Sequence, residues 1–387
     1  MSVPGPGSVV ILRCGAVATA QFALAASIRS VLSLVPWRGL RRLVVLSVLL
    51  TALVPGTAQA FNKAIWGPVY QNGVNQFPLY HRLGVTIYEA DLYWSQIAPT
   101  RPQNAKDPAD PAYLWPTDIA DAIQQAAAFH MRVMLQIITA PRWANRNRPQ
   151  NWAPTNPADY AAFATAAARE YPSVHLWMVW GEASRGVDFE PISIVRPGHT
   201  LTPKQQYAPH LYARILDAAY GALKAVTRRN LVIGGCTYVG GYIRTLPWIQ
   251  NLRLPNGRPP RMDMYAHNPF TTEDPNFSDP PSPYGVVQFS DLPRLAQWVD
   301  QYLHRGLPLF LSEWTIPTSP HDTEFGYWVQ PKVAAKWISD ALRLSRHWKR
   351  IYALGWIHVY DDPPYTSGGL LYANGNPKPG FSAFARG

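Results

Sequence analysis

Two apolar runs in this chain end in an acid. LWMVWGEAS runs into Glu182, and PLFLSEWT runs into Glu313. A carboxylate that closes a buried run is costly to hold without a purpose. Two facing carboxyls can split an acid role and a base or nucleophile role between them. That division is the minimum needed to cleave a glycosidic bond, with one group protonating the leaving oxygen and the other attacking or stabilising the anomeric carbon. Competing chemistries lack their signatures. There is no HExxH and no CxxC for a metal site, and no G-x-S-x-G for a serine nucleophile. The paired-carboxyl reading needs neither metal nor organic cofactor.

Such a pair must be positioned by regular elements, and the chain shows one repeated pattern from residue 64 onward. Short apolar runs at 64–69, 85–94, 132–141, 174–182, 230–239, 263–270, 308–316 and 351–360 alternate with segments of helical period. Among the latter are DIADAIQQAAAFH, PADYAAFATAAARE and QQYAPHLYARILDAAYGALKAV. Eight strands with helices between them predict an α/β fold, a (β/α)8 TIM barrel in a single domain over residues 61–387. An open doubly wound sheet would carry a Gly-rich turn after its first strand, and GPVYQNG does not supply one. In the barrel, acids ending the fourth and seventh strands face each other across the mouth.

The chain has 387 residues, 47% of them hydrophobic and 15% charged, enough for one large core and unlike a disordered tail. The net charge of +11 shrinks on inspection. The first 60 residues hold five arginines and no acid, leaving 30 basic and 24 acidic residues beyond them, a net of +6. The basic residues are scattered, so no nucleic-acid interface is expected. Arg38, Arg41 and Arg42 precede LVVLSVLLTALV, and GTAQA follows, with Ala58 and Ala60 in the small-residue pattern. Residues 1–60 therefore read as an export signal cleaved after Ala60, too short in its apolar run to span a bilayer, with an uncleaved anchor as the alternative. The expectation is a secreted or extracytoplasmic protein with no stable membrane span after cleavage. Past that segment only Cys236 remains, and a lone cysteine in LVIGGCTYV reads as a core residue.

Over residues 62–384 the sequence resembles the retaining glycoside hydrolases of clan A, the cellulase- and xylosidase-like barrels. The resemblance rests on WMVWGEAS, LFLSEWT, TAPRWA (139–144), LGWIHVYD (354–361) and the closing GLLYANGNPKPGFSAF. It implies Glu182 as acid/base and Glu313 as nucleophile in a double displacement. It also implies a glycoside or an oligo- or polysaccharide as substrate. Trp356 resembles the clan's platform under the cleaved sugar, and Trp314 and Trp143 are further candidate sugar contacts. Three positions depart from the clan pattern. Gly181 stands where the clan has Asn, Glu89 where it has Arg on strand two, and His267 is followed by Asn268 and Pro269 rather than by x-Tyr. Tyr265 and His267 are the candidates for that strand-six support, and Glu89 for binding substrate or tuning the pair. These departures keep two alternatives open, a carbohydrate-binding barrel impaired in catalysis and a transglycosylase.

Overall fold

The computed structural model describes residues 61–387; the export segment read from residues 1–60 lies outside the described residues. Eight parallel strands close into a barrel: β1 Asn62–Trp66, β2 Ile87–Tyr93, β3 Arg132–Ile138, β4 Leu176–Val179, β5 Leu231–Tyr238, β6 Met264–Asn268, β7 Leu309–Trp314 and β8 Ile351–Trp356. Closure is made by β1 pairing with β8 (Asn62 opposite Ala353) and with β2 (Ala64 opposite Ile87). A main helix follows each strand: α1 Phe77–Arg82, α2 Thr117–Ala128 (after a single helical turn at Trp94–Ile97), α3 Pro157–Glu170, α4 Tyr207–Val226, α5 Thr245–Gln250, α6 Leu292–Tyr302, α7 Pro331–His347 and α8 Pro379–Arg386. All eight expected strands are present, each ending before its apolar run does. The barrel is a (β/α)8 fold.

Local chemistry explains the elements. Helix α3 starts where the Asn156 side chain accepts from the Ala158 N–H at 3.1 Å, with Pro157 in the first turn. Its alanines keep it slim, and five of the seven are buried against strands and the neighbouring α4. Two separate apolar cores result. A small inner one fills the barrel with Ala64, Ile87, Met134, Met178, Ile233, Phe310 and Tyr352. A larger outer one lies between strands and helices and holds most of the tryptophans. The inner core stops short of the C-terminal strand ends, where polar side chains take over.

Candidate active site

Glu182 sits just past β4, and Glu313 is the next-to-last residue of β7. What joins them is a third side chain. Asn268, the last residue of β6 and fully buried, donates from Nδ2 to Glu182 Oε1 at 2.8 Å and accepts at Oδ1 from the Glu313 N–H at 3.2 Å. One planar amide thus ties both acids to one end of the barrel. Glu182 holds a backbone φ of +38°, a left-handed value that costs a non-glycine residue energy and persists only where surroundings enforce it.

The electrostatics of the pair are unequal. Burial raises the Glu182 carboxyl above its ordinary range, while the Arg185 guanidinium, ion-paired to Oε2, and the Asn268 amide pull it back. Burial raises Glu313 further, and the charges of Glu182, Asp91 and Glu89 add to that rise. Among the described residues its carboxyl meets no cation and no hydrogen-bond donor. Burial and mutual repulsion thus both favour the protonated form across the pair, opposed at Glu182 by Arg185 and Asn268. Asp188, beside Arg185, is pushed up to about 7 by burial and by the charge of Glu182.

The three departures from the clan pattern have structural counterparts. Glu89 is buried, and its Oε2 accepts from Ser312 Oγ at 2.7 Å while Oε1 has no partner. Burial holds this carboxyl well above its ordinary value, with the Asp91 charge adding to the effect. Gly355 on β8 makes the room, since a Cβ there would overlap both the Ser312 carbonyl and Glu89. At Gly181, Gln136 from β3 occupies the adjoining space, 3.0 Å from where a Cβ would stand, and donates to Asp91 Oδ1 at 2.8 Å. An amide therefore reaches this corner from β3 rather than from the residue before Glu182. On β6, His267 is fully buried, bonded to Thr237 Oγ1 and the Val287 carbonyl at 2.8 Å each, and burial lowers it to about 4. Tyr265, also buried, shares Thr237 at 3.2 Å. These two brace β5 against β6, and among the described residues neither hydrogen-bonds Glu313.

The tryptophan expectations need correction. Trp356 is 1% exposed, donates to the Gly368 carbonyl at 3.2 Å and meets Phe384 of α8 and Trp314 edge-on. Trp314 packs on Phe289 in the same outer core. Both rings fill the layer between barrel and helices: Trp356 shares the outer face with Leu354 by ordinary alternation, and a register shift between β7 and β8 puts Trp314, three residues after the outward Leu311, on that same face. They brace the site and offer no face to a sugar. Trp143 donates to the Ala98 carbonyl at 2.8 Å and carries Arg101 across its ring at 4.7 Å, so its face is already covered. Aromatic surface beside the acids comes instead from Trp66, half-buried and bonded to the Ser312 carbonyl at 3.2 Å, and from Tyr238, stacked under Arg185 at 4.3 Å.

Sequence reasoning passed over Asn268, Arg185, Asp91 and Gln136. Arg185 had a signal, standing three residues after Glu182, and Asp91 had one too, two residues after Glu89 on the same strand. Asn268 had none beyond its place beside His267.

No family model and no curated protein matches the chain. Solved structures do. A family 39 glycoside hydrolase from Bacteroides cellulosilyticus WH2 superposes with a TM-score of 0.59 at 18% identity, over 85% of this chain and 63% of that one. A glucosidase from Croceicoccus marinus gives 0.60 at 15% identity, over 84% and 65%. A monomeric β-xylosidase from Caulobacter crescentus CB15 gives 0.57 at 16%, over 84% and 67%. The chain spans less than two thirds of the length of the first two. The likeness is one of fold: the eight-stranded parallel barrel found among clan A glycosidases, in agreement with the resemblance read from the motifs.

Proposed function

We propose that this protein is an exported glycoside hydrolase that cleaves O-glycosidic bonds at the Glu182–Glu313 pair with retention. The observation that carries the reading is the Asn268 bridge, which holds an acid from β4 against one from β7. Glu313 attacks the anomeric carbon, and Glu182 protonates the departing oxygen, then activates water to release the glycosyl-enzyme. Retention calls for carboxyls about 5–5.5 Å apart. The active protonation state has the proton on Glu182. Reaching it requires Arg185 to swing off Glu182, a movement open to a side chain about a third exposed. Export rests on the pattern of residues 38–60, and a saccharide partner on the fold and the acid pair. Transglycosylation shares the same intermediate and differs only in the acceptor.

The Arg185 clamp on Glu182, together with Glu89 in an arginine's place, favours a second reading: a barrel that holds glycans without turning them over. One experiment separates the two. Aryl glycosides with good leaving groups are incubated with the wild type and with Glu313→Ala, and the first-formed anomer is read by proton NMR. Turnover that Glu313→Ala abolishes, with the anomer retained, supports the hydrolase. Silence across a broad sugar panel with glycan binding intact supports the second reading, and an inverted anomer overturns the double displacement.

A further inference from the structure

One sizeable cleft has neither Glu182 nor Glu313 among its lining residues. It has a volume of about 740 Å³ and lies between the loop after β4, helix α5 and helix α6. Its cationic side chains are Arg196, Arg244 and Arg294, with His199 beside them, and no Asp or Glu lines it. Arg294 is already matched, at 2.8 Å from Asp291. Arg196 and Arg244 have no carboxylate partner among the described residues. Arg244 is half-buried, and its Nε is enclosed without a hydrogen-bond partner. Burial alone presses this guanidinium below its ordinary value. A desolvated cation without a counter-charge is an unfavourable arrangement that a bound anion would relieve.

The cleft is also aromatic. Tyr284 is 77% exposed and stands on a left-handed turn, φ +59°, followed by Gly285 at φ +69°. Trp298 lies under Arg294 at 5.0 Å. Arg244 and Tyr238 both flank Gly240, and Tyr238 supports Arg185 beside the acid pair, so the cleft wall adjoins the mouth. Exposed rings suit the apolar faces of sugars, and a guanidinium fork matches a carboxylate in two parallel hydrogen bonds.

We propose that this cleft binds a uronate-bearing oligosaccharide, with Arg196 and Arg244 taking the carboxylates and Tyr284 the sugar face. The choice of a saccharide rests on the glycosidase reading; the capture of an anion does not. The full chain is titrated calorimetrically with a galacturonate tetramer, with cellotetraose and with sodium sulfate. The galacturonate tetramer is expected to bind, more weakly as salt is added, and the other two to bind at least tenfold more weakly. Arg244→Gln is expected to weaken the acidic tetramer about tenfold or more. Arg196→Gln, on the exposed rim where folding is not at risk, should weaken it a few-fold. Both variants should leave aryl-glycoside turnover unchanged. Equal binding of acidic and neutral tetramers, or wild-type affinity in both variants, overturns the proposal. Sulfate binding as tightly as the tetramer overturns its saccharide part. Because the titration needs no turnover, a failed glycosidase assay and an empty cleft are separate results.

Discussion

At the scale of single residues the site is defined by who holds whom. Asn268 uses both ends of its amide, so Asn268→Ala frees Glu182 Oε1 and the Glu313 N–H together. A displacement of about 1 Å at the acids is expected to lower kcat about a hundredfold with KM nearly unchanged, which steady-state kinetics on an aryl glycoside will show. Glu89 gives a pH-dependent prediction. In the unfolded chain a glutamate ionises near pH ~4.3, whereas burial keeps Glu89 protonated well above that in the fold. The native state therefore holds the extra proton across this interval, and stability falls as pH rises through it. Glu89→Gln removes that decline. Its unfolding free energy minus that of wild type should be larger (the variant relatively more stable) at about pH 8 than at about pH 4, read by denaturant titration at each pH.

At the scale of elements, the eight strands were legible because parallel strands buried on both faces read as unbroken apolar runs. The positions of Glu182 and Glu313 at two strand ends were legible for the same reason: polarity begins where the run stops. Side-chain direction was not. Trp314 stands three residues after Leu311 yet joins it in the outer layer because the register between β7 and β8 slips there, and such a slip turns a ring to the other face without leaving a mark in composition. The amide bridge was hidden as well, since Asn268 meets Glu182 across 86 residues of sequence. Gly355 shows how tightly β8 is fitted to β7 and Glu89. Gly355→Ala is expected to destabilise the fold by about 3 kcal/mol, seen as a lowered denaturant midpoint, with no compensating gain in activity.

At the scale of the whole molecule, the barrel's opposite end is fastened by Lys63 of β1. Its ammonium donates to the Phe384 carbonyl at 2.9 Å and the Ala385 carbonyl at 3.3 Å, at the end of α8. Burial lowers this amine to about 8, against ~10.4 in an unfolded chain. Between those values the unfolded state binds more protons, so this residue makes stability rise with pH. Lys63→Met should abolish that rise, measured by unfolding at about pH 7.5, 9 and 10. The two carboxyls at the far end answer to a different constraint. Strands β4 and β7 are not neighbours in the sheet, yet through Asn268 they share one rigid plate three atoms across. A tilt of either strand's tip has to stretch one of the amide's two hydrogen bonds, so the Glu182 carboxylate and the Glu313 backbone share a single anchor on β6.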